Sequence, residues 1–276
     1  MRAKTEARLR EAANSTRGVI GLFVLDPSSG ETFAINEHVA FPQASAIKIP
    51  VLMEVYKQAG EGKFKLSDEH RITKEEKAAG SGILAQLGEG TVRMTLHDLC
   101  VLMILASDNT ATNILIDLVG MENVNRTLGG LGLQQTLLRR RMMDMTAAIR
   151  GEENLSTPAE AVRIMDLLHR GEFLSRVASD EILAILKKPK ASGIGAALPE
   201  GTVVASKPGG IPGVTTEWAI VYLKDRTYIA AFMESYGMKQ EASEALKTVS
   251  KILYDHFLRL SHSTAHGTYV PPPERK

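Results

Sequence analysis

A polar pair, Ser45 and Lys48, interrupts the otherwise apolar run Phe41-Pro42-Gln43-Ala44-Ser45-Ala46-Ile47-Lys48-Ile49-Pro50. Residues three apart on a helix share a face, so a Lys48 amine can reach a Ser45 hydroxyl. A serine hydroxyl is a weak nucleophile until a neighbouring base takes its proton, and a lysine is such a base only where burial or nearby charge lowers its pKa. The apolar flanks can supply that burial. Near a helix start the Ser45 N–H has no partner within the helix and is free to bind an oxyanion. One turn therefore offers a nucleophile, a base and an oxyanion donor. Pro50 has no N–H and its ring crowds the preceding turn, which predicts a kink after Lys48. Ser-x-x-Lys alone is a weak pattern, more often a helix cap beside a solvated lysine.

Two further clusters raise its weight. Ser107-Asp108-Asn109 follows an apolar segment, and in isolation it is a helix cap. Read beside the first cluster, Ser107 can relay a proton to a leaving nitrogen. Asn109 can hold Lys48 and donate to a substrate amide, while Asp108 fixes the turn. Lys207-Pro208-Gly209-Gly210 ends a strand and alone is simply a turn. Functionally, Lys207 is a second positive charge, and the Gly210 N–H completes an oxyanion hole with that of Ser45. Gly209 and Gly210 let a substrate lie close to the backbone.

The elements that must hold these residues follow from pattern. Residues 3–14 are rich in helix formers and read as an amphipathic helix. Gly18–Leu25 and Glu31–Asn36 flank the turn Asp26-Pro27-Ser28-Ser29-Gly30 and form a hairpin. The Ser45 helix runs to about Gly60. Residues 51–190 read as almost wholly helical. Thr95–Leu105, apolar nearly all round in its second half, predicts a central buried helix. Helices are also expected over Asp108–Val119, from the Thr157 cap with Pro158 to Leu168, over Asp180–Leu186 and over Glu241–Leu260. Strands return at 202–206, 217–223 and 228–233. Strands at both ends and helices between imply an α+β fold: one antiparallel sheet of about five strands built from both chain ends. The terminal helices cover one face of it. Residues 1–50 and 191–260 make the sheet part, 51–190 an inserted helical part, and 261–276 a mobile tail. Ser45 falls at the junction of the two parts, a common place for a small-molecule site.

Composition narrows the function classes. Among 276 residues, Lys and Arg number 33 against 32 Asp and Glu, so no basic field argues for nucleic acid or a membrane surface. Cys100 is the single cysteine, which excludes an intrachain disulfide, and its neighbours mark it as a small buried hydrophobe. No run reaches transmembrane length. Met1 leads straight into a charged segment. That fits a cytoplasmic protein if Met1 is the native start, and a periplasmic or secreted one if an export segment has been removed. His262 and His266 are four apart, but in a terminal tail. No zinc pattern or phosphate loop is present.

Ser-x-x-Lys, then Ser-Asp-Asn about sixty residues on, then Lys-x-Gly on a late strand, resembles the class A β-lactamases and the wider penicillin-recognising serine hydrolases. The likeness spans roughly residues 5–260 and includes Phe41-Pro42, the Asp26–Gly30 hairpin and Gly80-Ser81-Gly82-Ile83-Leu84, similar to a segment beside that family's active-site mouth. It implies the β-lactamase-like fold sketched above, an acyl-serine on Ser45, a small-molecule amide or ester substrate, a monomer, and neither metal nor cofactor. Two departures stand out. The family's Lys-Thr/Ser-Gly reads Lys207-Pro208-Gly209 here, and Pro208 has neither hydroxyl nor N–H for a substrate carboxylate. The family's loop Glu, with an Asn four residues later, positions the deacylating water. The matching Arg139–Ala148 segment has no such pair. Asp144 is its nearest carboxylate, a base or an N-cap, and Glu152 and Glu153 read as solvated surface. Three readings stand: a serine acyl-hydrolase of the class A type, a β-lactam-binding or sensing domain that turns over poorly, and a degenerate scaffold.

Overall fold

The β-rich run after Gly18 becomes β1 (Val19–Leu25), and the Asp26–Gly30 turn returns the chain as β2 (Thr32–Ile35). The computed structural model describes residues 1–88, 91–264 and 266–270. Three late strands complete the main sheet: β7 (Val203–Ile211), β8 (Val214–Tyr222) and β9 (Thr227–Ser235). The order is β2-β1-β9-β8-β7, antiparallel throughout, so both chain ends build one five-stranded sheet. Side chains alternate between its faces. On one face Leu22, Val24, Val221, Tyr228 and Phe232 meet α1 (Arg2–Ala13) and α10 (Lys239–Ser261). On the other, Trp218, Ile220, Ile229, Ala231 and Met233 join the core of the helical part. Both faces are covered, which is why the late strands read as near-continuous apolar runs.

The strand carrying Lys207 runs on through Ile211, five residues past its expected end. Pro208 does not stop it, because β7 is an edge strand, where a missing N–H leaves no ladder bond broken. The helical part holds α2 (Lys48–Gly60), α3 (Leu96–Leu105), α4 (Asn109–Val119) and α5 (Met121–Gly130). It continues with α6 (Met145–Ile149), α7 (Pro158–Arg170) and α8 (Arg176–Leu186), while α9 (Gly193–Ala196) packs with α10 on the sheet. It is less uniformly helical than the pattern implies. The two-residue strands β3 (Phe41–Pro42) and β6 (Leu155–Ser156) pair, as do β4 (Glu69–Arg71) and β5 (Arg93–Thr95). The central buried helix is α2, with 48–56 wholly buried, joined by α4, whereas α3 leaves Leu105 exposed. Apolar composition alone misplaced that role, since α2 carries polar residues that are buried with partners, Glu54 and Gln58 among them. In the tail, Ser263 bridges Tyr269; residues 265 and 271–276 of the expected mobile segment lie outside the described residues.

Candidate active site

Ser45 sits in a single 3₁₀ turn, Ala44–Ile47, and the α-helix proper starts at Lys48. The change of helix type comes before Lys48, whereas a kink was expected after it. Pro50 then lies in the first turn of α2, where its missing N–H has no intrahelical partner to lose. Gln43, fully buried, fastens this turn to its surroundings. Its carbonyl accepts from Thr216 Oγ1 (3.0 Å) and Ala46 N–H (2.9 Å), and its Oε1 accepts from Trp218 Nε1 (2.9 Å). Its N–H donates to Asn154 O (2.8 Å). Ala44, next to the serine, takes φ +43°, a left-handed value rare for a residue with a Cβ.

Gly209 of β7 lies directly behind the turn. A Cβ there would stand 2.7 Å from Gln43 O and Thr216 Oγ1 and 2.8 Å from Ser45 N, too close for any real contact. Gly209→Ala is therefore expected to push the Ser45 turn off the strand, losing about 1–3 kcal/mol of stability and most covalent labelling of Ser45. Gly210→Ala, whose Cβ would meet Val214 O at 3.7 Å, is the control for packing and stability. Thermal melts and mass-detected labelling compare them; equal behaviour of the two variants would reject the packing argument.

Two amines converge on the Ser107 hydroxyl, which lines the same cleft as Ser45 and Lys207. Lys48 Nζ donates to Ser107 O (2.7 Å), Ser107 Oγ (3.1 Å) and Asn109 Oδ1 (3.0 Å). Lys207 Nζ donates to the same Ser107 Oγ (3.1 Å) and to Pro208 O (2.7 Å). Both lysines are almost wholly buried. Burial pushes the Lys48 amine well below the ordinary lysine range, the Lys207 charge pushes it further, and Asp108 partly offsets this. Burial brings Lys207 down to about 7, with Glu217 opposing and Lys190 assisting.

Asp108 holds the turn carrying Ser107, which sits at φ +51°. One carboxylate oxygen caps α4 through Ala111 N–H (2.9 Å). The other accepts from Ile83 and Leu84 N–H (2.7 and 2.9 Å), tying the Gly80–Leu84 loop to the site. Gly82, at φ +113°, lies against that carboxylate, where a Cβ would be 2.3 Å away. Asn109 Nδ2 donates to Ala79 O (2.9 Å), closing the same loop from the other side.

Ser45 lies between two lobes of a cleft. One, about 430 Å³, runs along Gly80, Asn109, Met142, Met143 and Met145. The other, about 710 Å³, passes Ser107 and Lys207. The 139–148 loop carries methionines on the cleft wall, and Asp144 between them turns back to cap α6 through Ala147 N–H (2.9 Å). Asp144 is thus not brought to the lysine cluster. The expectation of two solvated glutamates needs correction at Glu153, which lines the cleft. Its Oε2 takes both Nε (3.1 Å) and Nη2 (2.9 Å) of Arg140, another residue of the wall. Glu152 does lie outside, paired with Arg150. Asn154 sets this arrangement by accepting the N–H groups of Arg139 (2.7 Å) and Arg140 (3.0 Å) on one oxygen. Gln43, Arg140, Glu153 and Asn154 are absent from the motif reading, because nothing in their local sequence signals a tertiary bond. Among the described residues no group of three or more His, Cys, Asp or Glu is placed to hold a metal.

Compared with known proteins, residues 4–257 match the model of the β-lactamase enzyme family, and the chain belongs to that family. It is 27% identical over 241 residues to the imipenem-hydrolysing β-lactamase of Enterobacter cloacae, covering 85% of this chain and 82% of that one. The crystal structure of a β-lactamase from Sphaerobacter thermophilus superposes with a TM-score of 0.85 at 31% identity, over 92% of this chain and 97% of that one. A mutant of PBP-A, solved as an acyl-enzyme complex with penicillin G, gives 0.85 at 26% identity over 93% and 97%. The fold is that of the β-lactamases, and the chain is a class A β-lactamase-like serine hydrolase.

Proposed function

We propose that this protein opens a β-lactam or related amide or ester through an acyl-enzyme on Ser45. The observation that carries the reading is the sharing of Ser107 Oγ by Lys48 Nζ and Lys207 Nζ, each at 3.1 Å. A hydroxyl has two lone pairs and one proton, so with both lone pairs occupied its proton points away from the lysines, toward the cleft. In the reaction, Ser45 Oγ bonds to the carbonyl carbon while neutral Lys48 accepts the serine proton. The electron pair of the C=O moves to oxygen and is held by the Ser45 and Gly210 N–H groups. Collapse re-forms the carbonyl and breaks the bond to the leaving nitrogen or oxygen. That atom takes the Ser107 proton, and Ser107 is reprotonated from the lysine pair. Asn109 orients Lys48 and offers its amide to the substrate.

A second reading, an acylated protein that releases product slowly, is favoured by the wall opposite Ser45. There the lining carries Met142, Met143 and Met145, and the Asp144 carboxylate serves the α6 cap. Time-resolved intact-mass spectrometry with a penicillin, a cephalosporin and a simple ester separates these readings. A transient adduct on Ser45 means hydrolysis, and a lasting one means capture. Labelling that persists in Ser45→Ala would reject the nucleophile.

A further inference from the structure

The lobe of the cleft beyond Ser107 is unusually rich in amines. Lys190, Lys207 and Lys239 all line it, together with Ser192 and Ser243, and no carboxylate is among its lining residues. Lys239 is exposed at the mouth and Lys207 is buried at the floor. Lys190 lies between these extremes. Its Nζ donates to Lys188 O (2.9 Å) and to Leu186 O at the C-terminus of α8, which leaves one of three ammonium donors uncommitted. Burial brings its pKa to about 8, with Glu217 opposing, so it is mostly charged at neutral pH.

The wall bearing Lys190 is anchored from behind. Glu217 of β8, 1% exposed and directly opposite Pro208 in the sheet, accepts from Gly193 N–H (2.8 Å), Ile194 N–H (3.0 Å) and Ser192 Oγ. A buried carboxylate thus pins the segment just after Lys190 to the strand that carries the proline. Its charge faces the two lysines from inside the protein. On the cleft side no carboxylate lines the lobe to offset them. Like charges held close in a partly desolvated lobe repel, and an anion between them removes that repulsion.

Pro208 contributes neither hydroxyl nor N–H to this lobe, so an acidic substrate group must find its donors elsewhere. We propose that Lys190 is a specificity residue for a carboxylate on the substrate that acylates Ser45, gripping it from the side opposite Lys207, with Glu217 as the positioning residue that holds the Lys190 wall in place. The assignment deepens the acyl-serine reading and rests on it for the identity of the reacting bond, but not for the anion contact itself.

The test pairs a chromogenic cephalosporin bearing its free carboxylate with the methyl ester of the same compound. In Lys190→Met, the second-order rate constant for acylation by the acid should fall about 10- to 100-fold, the effect of one hydrogen bond to a charged group. The loss should lie in the half-saturating concentration rather than the limiting rate, and should shrink at high salt. The ester should change less than about 2-fold, and Lys190→Arg should keep most of the acid preference. Lys190 also caps α8, so thermal melts of both variants accompany the kinetics. A loss shared equally by acid and ester, or an unchanged acid rate, overturns the proposal. Calorimetric binding to Ser45→Ala keeps it distinct from the chemistry. If wild type is labelled by neither compound, yet Ser45→Ala binds the acid in a Lys190-dependent way, the acyl-serine reading fails and the anion site stands. If Ser45→Ala binds the acid no better than the ester, the anion site fails.

Discussion

Lys48→Ala is expected to slow acylation of Ser45 by about 10²–10⁴-fold, the usual contribution of a positioned general base. Lys48 is fully buried, and its Nζ is surrounded by Ser107 O, Ser107 Oγ and Asn109 Oδ1. As an ammonium it commits all three protons to these acceptors and has no lone pair for Ser45. Losing one proton creates the base, and burial together with the Lys207 charge favours that loss. The sign follows directly. The reactive neutral amine is the deprotonated form, so the wild-type acylation rate should rise with pH through an apparent pKa well below that of a free lysine, then level off. In Lys48→Ala that limb should vanish along with most of the rate. Stopped-flow acylation across pH, with wild type and variant side by side, checks this. A pH-independent rate that ignores the substitution would remove Lys48 from the role.

The second large effect concerns release. Hydrolysis of an acyl-serine needs a water held against the carbonyl by a group able to take its proton. The 139–148 loop turns Met142, Met143 and Met145 to the cleft, and the Asp144 carboxylate is engaged by Ala147 N–H. Glu153 reaches the cleft wall, but with the Arg140 guanidinium on its Oε2. Product release is therefore expected to show a burst of about one equivalent per Ser45, followed by a steady phase about 10²–10⁴-fold slower than a positioned base would allow. Asp144→Asn retains an N-cap side chain and should alter neither phase. Asp144→Ala should lower stability by about 1 kcal/mol and still leave the slow phase unchanged. Fast turnover without a burst, or an adduct lengthened by Asp144→Asn, would show that a carboxylate of this loop does reach the water.

The parts of this site that read directly from sequence are those fixed by short-range geometry. Ser45 and Lys48 are one turn apart, Ser107 and Asn109 flank a helix cap, and Lys207 and Gly210 share a strand. Regular backbone carries each group to a definite place, and hairpin signals with period-two alternation bring both chain ends into one sheet. What was not legible depends on bonds between distant segments. Glu153 faces the cleft because Asn154 gathers the Arg139 and Arg140 N–H groups, a contact with no local signature. Gln43 reads as an unremarkable polar residue until Trp218 and Thr216 are seen to bind it. The buried role of α2 was missed because its polar side chains find partners inside, whereas hydropathy counts them as surface.

The two buried lysines also have a consequence for how the protein tolerates alkali. Lys207 sits near pKa 7 in the folded chain and near 10.5 when unfolded, so between these values the unfolded chain binds more protons. Stability should therefore climb as pH rises through that window, and Lys48, shifted in the same direction, steepens the climb. At neutral pH the Lys207 shift alone opposes folding by roughly a few kcal/mol, and Lys48 acts in the same direction. Lys207→Met should melt higher than wild type at pH 7, with the difference narrowing toward pH 10, and a melting temperature that falls steadily from pH 7 to 10 in wild type would contradict this. The fold thus carries its reactive amines under tension, and mild alkali, which unravels many proteins, should hold this one together.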